Sequence, residues 1–232
     1  IGSATVNIGA AANDGTGDAL RSACNKFNLA IDGLHYPIAT GSLTARSLET
    51  RFSDIVNVKD FGATGDGVTD DAAAFAAAWA AARTTQKGVW VPGGYTFRIA
   101  TEVTFTPVSL TAPAVTLAGV RGGSRILCDT GAGAGVFTFL SANSVDVYGL
   151  MFTGRSGRLV DCYRAIYFGG CNGCHVRDCT FKWVGAGNDG IVTNNGGDMM
   201  LTDCGFWGSY APDALVRGIS WSRMDLTRVT FN

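Results

Sequence analysis

Paired carboxyl groups are the residues here whose spacing could do chemistry: about 5–5.5 Å apart they can act as acid and nucleophile, and about 6.5–9.5 Å apart as acid and base with a water between them, as in the hydrolysis of an acetal. The chain has only two glutamates, Glu49 and Glu102, and both precede the repeats described below. The carboxylates available within the repeats are Asp146, Asp161, Asp178, Asp189, Asp198, Asp203, Asp213 and Asp225. Asp189 and Asp213 are singled out as a candidate catalytic pair, because Asp213 falls one residue off the Asp189 position in the next repeat. An eliminative cut needs instead a base, often Lys, Arg or Tyr, and stabilisation of an enolate-like intermediate. Lys182 and the scattered arginines form no recognisable arrangement of that kind. Trp183, Trp207, Tyr210 and Trp221 offer rings that stack on sugars or pack between subunits.

Seven cysteines is an odd number, so at least one stays outside any intrachain disulfide. Cys171-Asn172-Gly173-Cys174 has the spacing of a zinc or redox pair, with His175 beside it. A second such pair, which a structural zinc site calls for, is missing. The reading is therefore no metal and no cofactor. Lys+Arg 18 against Asp+Glu 19 leaves a formal net charge of −1, without the basic stripe of a nucleic-acid binder. No apolar run approaches the ~18 residues of a membrane span. Gly 32 and hydrophobic residues at 47% suit a turn-rich, closely stacked β architecture with a sizeable core.

What would position these residues is a repeat. VRDCTF at 176–181 returns as LTDCGF at 201–206 and LTRVTF at 226–231, and VYGLMF at 147–152 and LAGV at 117–120 extend it backwards. Leu117, Val147, Val176, Leu201 and Leu226 form one column. Val120, Leu150, Cys179, Cys204 and Val229 form a second, and Phe152, Phe181, Phe206 and Phe231 a third. Ten residues before each signature lies another apolar piece, at Phe137, Ile166, Ile191 and Val216. Units this short cannot bury an apolar face alone, and stacking them places like over like about 4.8 Å apart. Short β-branched or aromatic segments between Gly/Asn/Asp turns exclude a helical solenoid, and the fold expected is all-β, a right-handed parallel β-helix over residues 98–232. Asp178, Asp203 and Arg228 share one slot and read as turn or ladder residues. The last unit is an ordinary repeat whose open edge would invite pairing, so the chain is expected to continue beyond Asn232.

Residues 55–97 form the expected cap of the stack. Val56 and Val58 begin a strand, and Thr69, Asp70 and Asp71 cap a helix from Ala72 to Ala82 with Phe75, Ala78, Trp79 and Ala82 on one face. That face should cover the first coil. GVWVPGGYTF is a strand, a turn and a strand. Asp66, Asp70 and Asp71 are read as turn and capping groups in preference to a metal site.

NVKDFGATGDGVTDD, the alanine-rich helix and GVWVPGGYTF resemble the opening of the pectate-lyase-like (pectin-lyase-like) β-helix superfamily, in the version found in bacteriophage tailspikes and capsule depolymerases. The resemblance covers residues 55–232 and is strongest over 55–97. It implies a homotrimeric virion spike, assembled in the host cytoplasm, whose β-helix binds and often cleaves a bacterial surface polysaccharide. GNDGI at 187–191 is similar to the N-x-D-G-I element of polygalacturonase-like relatives, but the later paired-Asp segment and the Gly-His-Gly are absent. A site farther along the chain or between subunits is therefore favoured. The open functions are a depolymerase spike, a non-enzymatic adhesive or structural tail protein, and a free polysaccharide lyase or hydrolase.

In residues 1–36, Asp18 caps a helix in which Leu20, Cys24, Phe27, Ile31 and Leu34 follow steps of 4, 3, 4 and 3. Two heptads do not make a stable coiled coil alone. The helix either docks on its own domain or meets two copies on a threefold axis, the arrangement favoured here. This arm resembles a module near the start of phage tail fibres and spikes, which implies attachment to a tail or baseplate protein. Residues 37–54 read as a linker. Phe27→Asp is expected to abolish trimerisation, measured by light scattering, or attachment to tails; an unchanged mass with unchanged tail binding would contradict the threefold arrangement.

Overall fold

The computed structural model describes residues 46–107, 115–154, 162–183, 189–208 and 216–231. The arm residues Leu20, Cys24, Phe27, Ile31 and Leu34 lie outside them. The chain divides into two compact units, Ile1–Asp54 and Ile55–Asn232. Within the first, a single helical turn, α1 (Leu48–Phe52), starts where Ser47 Oγ accepts from Thr50 N at 3.0 Å, and Arg46 pairs with Asp54 at 2.8 Å.

The second unit is a right-handed parallel β-helix in which, among the described residues, every strand pairing is parallel. Three faces wind upward. Face 1 holds β5 (Val103–Phe105), β8 (Gly131–Leu140), β11 (Cys162–Gly169) and the first parts of β14 (Asp189–Thr202) and β16 (Val216–Thr227). Face 2 holds β1 (Val56–Asn57), β3 (Val89–Val91), β6 (Val115–Gly119), β9 (Ser144–Tyr148), β12 (Gly173–Arg177) and the later parts of β14 and β16. Because those two long strands run through the corner, faces 1 and 2 are one ten-stranded sheet. Face 3 is a seven-stranded sheet of β2 (Asp66–Asp70), β4 (Tyr95–Ile99), β7 (Ser124–Cys128), β10 (Leu150–Thr153), β13 (Thr180–Trp183), β15 (Gly205–Gly208) and β17 (Thr230–Phe231).

The expected columns are the registers of these sheets. Leu117, Val147, Val176, Leu201 and Leu226 are direct partners on face 2, and Val56 and Val89 extend the column to the first coil. On face 3, Phe152, Phe181, Phe206 and Phe231 stack with ring centroids 5.0, 4.7 and 5.3 Å apart and nearly parallel planes. Phe97 and Ile126 continue that line downward. Val103, Phe137, Ile166, Ile191 and Val216 line face 1. Each fully buried side chain of this size contributes about 1.5–3 kcal/mol, and each aromatic pair about 0.5–1.5 kcal/mol more. The second column needs a correction. Val120 is exposed (43%), and Ser124 takes the place opposite Leu150, because the turn Val120-Arg121-Gly122-Gly123 inserts four residues into that coil.

The corners explain the small and polar residues of the repeat. At the corner from face 2 to face 3, Gly149, Asp178, Asp203 and Arg228 all take left-handed backbone, with φ of 73, 54, 54 and 50°. Asp tolerates this region better than most residues, whereas at Gly149 a Cβ would sit 2.2 Å from the Gly119 carbonyl oxygen. Just after the turn, Ser124 Oγ donates to the Val91 carbonyl at 2.7 Å. Cys179 Sγ does the same to Val147 at 3.8 Å and Cys204 Sγ to Val176 at 3.4 Å. The buried cysteine column thus offers weak thiol donors to carbonyls of the coil below.

The cap is built as a plug. The strand begun at Val56 gives way at Val58 to a 3-10 turn, Val58–Phe61. Helix α2 (Ala72–Thr85) buries Phe75, Ala78, Trp79 and Ala82 on the first coil. Phe75 stacks on Phe137 at 5.5 Å and meets Phe97 edge-on at 5.6 Å, while Trp79 Nε1 donates to the Thr106 carbonyl at 3.2 Å. The capping chemistry is shared differently from the sequence expectation. Asp71 occupies the N-cap, but its buried carboxylate accepts from Thr64 N and Gly65 N at 2.6 and 3.1 Å, fixing the glycine loop. Asp70 accepts from Ala72 N at 3.1 Å and Ala100 N at 3.0 Å, joining helix to coil.

Phe181→Ala should cost about 3–5 kcal/mol in denaturant unfolding, against at most about 0.5 kcal/mol for its exposed neighbour in Lys182→Ala; equal costs would contradict the stacked column. A second expectation concerns pH. Asp66 accepts from Val68 N, Thr69 N and Thr69 Oγ1, which hold its carboxyl below the usual aspartate value. Its stabilisation is therefore complete above about pH 3.9, the unfolded value, and is lost as pH falls through the lower folded value. The difference in thermal midpoint between the native chain and Asp66→Asn should shrink on acidification; a difference that widens would contradict this.

Candidate functional site

In a stack of this kind the inward positions belong to the core, and alternate residues face solvent in rows about 4.8 Å apart along the axis and about 7 Å apart along each strand. On face 2 three such columns stand side by side. The first is Ser144, Gly173, Asp198 and Arg223, the second Asp146, His175, Met200 and Asp225, and the third Tyr148, Arg177, Thr202 and Thr227. Gly173 has no side chain between Ser144 and Asp198. The gap opens a cleft of about 320 Å³ lined by His175, Asp198, Met200, Arg223 and Asp225, with Cys174 and Met199 at its base.

The groups around the cleft are held by one another. Arg177 grips Asp146 through both carboxylate oxygens, at 3.2 and 2.9 Å, and its guanidinium lies 3.9 Å above the Tyr148 ring. The hydrogen bonds to Asp146 hold the Arg177 guanidinium above its ordinary pKa. Arg223 pairs with Asp225 at 2.7 Å, and His175 Nε2 lies 3.2 Å from Thr202 Oγ1. At the neighbouring corner Arg121 pairs with Asp178 and Arg228 with Asp203, at 3.0 and 2.5 Å. The Arg228 hydrogen bonds keep the Asp203 carboxyl below its usual value. The slot shared by Asp178, Asp203 and Arg228 is thus a turn-and-ion-pair ladder, as its spacing implied. The cleft offers a mixed set of donors and acceptors, with two carboxylates, Asp198 and Asp225, to one arginine, Arg223.

Among the described residues of face 3, the exposed rings include Trp207, Tyr95 and Phe231. The indole of Trp207 folds back over Gly205, where an added Cβ would meet the ring at 2.3 Å, and Lys182 Nζ lies 5.8 Å from the ring centroid. Trp207 remains 39% exposed. On face 1, Glu102 reaches from the corner before β5 into the repeats. It accepts from Gly135 N at 3.1 Å and from Thr138 Oγ1, and lies 3.9 Å from Arg164, whose guanidinium covers Tyr167 at 4.2 Å. Sequence reasoning set Glu102 aside because it precedes the repeats. The signal lay in its place immediately before the first strand of face 1, a corner from which a side chain reaches the next coil.

Of the candidate residues, the backbone of Asp189 sits beside Arg164 at the start of face 1, in register with it. Asp213 and Tyr210 lie outside the described residues. Trp183 pairs in register with Gly208 and Trp221 with Gly196, and of their side chains, as of that of Asp189, nothing is described. Among the described residues no group of three or more His, Cys, Asp or Glu is placed to hold a metal ion. Among them, too, no helix is long and apolar enough to cross a membrane.

Residues 55–119 match the family described as rhamnogalacturonase A/epimerase, pectate lyase-like. No curated protein matches the chain. Among solved structures, a mutant tailspike protein of Escherichia coli bacteriophage HK620, in complex with a pentasaccharide, superposes over 89% of this chain and 41% of its own, with TM-score 0.62 and 16% identity. PfbA, a surface adhesin of Streptococcus pneumoniae, superposes over 68% of this chain and 39% of its own, with TM-score 0.51 and 18% identity. The chain spans about two fifths of each, and the likeness is one of fold: the pectate-lyase-like parallel β-helix that tailspikes use.

Gly205→Ala should displace the Trp207 ring and raise acrylamide quenching of the fluorescence component that Trp207→Phe removes. Unchanged quenching would show that the ring does not rest on Gly205.

Proposed function

We propose that this chain is the N-terminal part of a virion tailspike that binds a bacterial surface polysaccharide along the outside of its β-helix. The observation that carries the reading is the outer lattice of face 2. It has hydrogen-bonding side chains at two fixed spacings and a cleft where Gly173 leaves a gap, all on a tailspike fold whose solved counterpart holds a pentasaccharide. A regular rigid surface suits an extended, repeating polymer, because neither partner has to be ordered on binding. Trp207 on face 3 adds an exposed ring of the kind that dominates binding surfaces. Trp183, Tyr210 and Trp221 remain glycan-binding candidates, and Asp189 and Asp213 catalytic ones.

The spike would act as a homotrimer anchored to a tail or baseplate protein through residues 1–36. Depolymerase activity would belong to the full-length spike. The second reading, a purely adhesive protein, draws on the likeness to the streptococcal surface adhesin. The third is a free lyase or hydrolase, which would be monomeric.

The test uses the full-length spike and a panel of purified capsular and O-antigen polysaccharides. Binding is read by calorimetry, and cleavage by new reducing ends and by the ultraviolet absorbance of unsaturated uronate. The expected result is saturable binding that weakens about tenfold, roughly 1.4 kcal/mol, in Trp207→Ala or in Gly173→Val, which fills the cleft. Binding without new ends would favour the adhesive reading. No binding across polysaccharides of the phage's own host would overturn the proposal.

A further inference from the structure

The outward side of face 3 differs in charge from that of face 2. From β4 upward its described outward positions carry no carboxylate, whereas face 2 presents Asp146, Asp198 and Asp225. Three cations stand on face 3: Arg98 on β4, Arg125 on β7 and Lys182 on β13. Arg98 is committed, since its Nε donates to Asp129 at 2.6 Å and its Nη1 to the Val68 carbonyl at 3.0 Å. Arg125 and Lys182 are both exposed, and among the described residues neither has a carboxylate partner. The carboxylates at the rim of the face are engaged elsewhere, Asp178 by Arg121 and Asp203 by Arg228. On the lowest strand, β2, Asp66 is held by its own loop and Asp70 by Ala72 N, Ala100 N and Thr101 Oγ1.

Each of these two charges stands beside an aromatic ring. Arg125 borders a hollow of about 230 Å³ with Tyr95, Thr96 and the turns at Gly94 and Gly122-Gly123. Gly94 N donates to the Gly123 carbonyl at 2.9 Å, which joins the two turns. At Gly94 and Gly122 an added Cβ would meet nothing within 4 Å, so space is open there. Lys59 Nζ, 4.1 Å from the centre of the Tyr95 ring, adds positive charge at this end. At the other end Lys182 Nζ lies 5.8 Å from the centre of the Trp207 ring. The register fixes how far apart the ends are. Arg125 pairs with Met151 and Met151 with Thr180, so Lys182 stands two coils up and two residues along. That is roughly 9.6 Å along the axis and 7 Å across, or about 12 Å between backbones.

We propose that face 3 binds an acidic surface polysaccharide, one carrying single negative groups at intervals, with Arg125 and Lys182 each taking one group and Tyr95 and Trp207 packing against the adjoining units. The inference rests on the polysaccharide-binding reading and names the class of polymer. The shared chemistry is a singly charged oxyanion, either a uronate carboxylate or a phosphodiester. Arginine presents a planar fork to two oxygens of such a group, and lysine a point charge. Neither side chain has to leave an existing ion pair to do so. Exposed contacts of this kind are weak singly. A polymer held by one of them is kept at high effective concentration near the other, so the two act together. In the face 2 cleft carboxylates outnumber arginine, and that cleft suits the uncharged units of the same polymer.

The experiment measures binding of the folded chain, at low and at physiological ionic strength, to three probes: alginate, which carries carboxylates, poly(glycerol phosphate), which carries phosphodiesters, and neutral dextran. The expected result is that one or both acidic polymers bind, that dextran does not, and that added salt weakens the binding. Which acidic probe binds distinguishes carboxylate from phosphodiester. Arg125→Gln and Lys182→Gln should each weaken it about threefold, and together about tenfold. The thermal midpoint should stay unchanged in both, because the side chains point outward. Lys87→Gln, the same loss of charge just after α2, should leave binding unchanged. Dextran bound as tightly as the acidic polymers, or an equal loss in Lys87→Gln and Arg125→Gln, would overturn the proposal. So would no binding of either acidic polymer, and a polysaccharide bound in the host panel would then leave the tailspike reading standing. The three probes need only the native chain, so the test stands even where a variant fails to fold.

Discussion

Each coil of this molecule can satisfy its backbone only through its neighbours. Among the described residues the strands are two to fourteen residues long and none has an antiparallel partner, so their ladder hydrogen bonds run along the stack to the coil above or below. A buried peptide group left unpaired costs about as much as a lost hydrogen bond, and parallel ladders allow no sliding of one face against another without breaking all of them. That constraint sets the register, and the register sets the side chains. Once Phe181 lies over Phe152, the next coil must offer a large apolar side chain at the same place, and it offers Phe206, as Ile126 does in the coil below. The same logic keeps most positions of the interior columns apolar, with Ser124 as the polar exception at the face 2 to face 3 corner.

The corners carry the cost of turning. Left-handed residues, glycine at one level and aspartate or arginine at others, let the chain change face in one or two residues. The buried Ser124, Cys179 and Cys204 then pair with carbonyls of the coil below. At the bottom of the stack no coil precedes the first, and α2 substitutes for it. Its alanines allow close approach, and Phe75 and Trp79 fill the barrel end. The three aspartates of the cap loop serve the same purpose by binding loop, helix and first coil to one another.

The interior was legible in the sequence because stacking repeats it. An offset kept over several units, such as Phe137→Val147 and Ile166→Val176, reports a physical contact, and these contacts are present in the sheets. Val120 was misplaced because a four-residue insertion shifts the register without altering the apolar pattern on either side. Asp71 stands at the N-cap but spends its carboxylate elsewhere, because the loop that competes for it is several residues earlier in the chain and adjacent only in space. The outer surface was much less legible. Nothing in the stack demands a particular residue at His175, Asp198 or Arg223, so their columns carry no repeat signal, and the cleft arises from what Gly173 lacks. Glu102 escaped for a related reason, since it acts on the coil above its own.

A surface freed from packing constraint, mounted on a core that permits little movement, is where such a fold can vary its recognition. That link between stack and surface rests on the rise per coil. Nitroxide labels placed at outward positions of one column, with Asp225 as the common partner, measure it by electron paramagnetic resonance. From Asp225 the register passes to Met200, His175, Asp146 and Thr116 in turn. The account predicts separations growing to about 10, 14 and 19 Å for His175, Asp146 and Thr116, an even step of ~4.8 Å per coil. Distances that do not rise in that order, or that step unevenly by more than the reach of the label, would contradict the stacked-coil account.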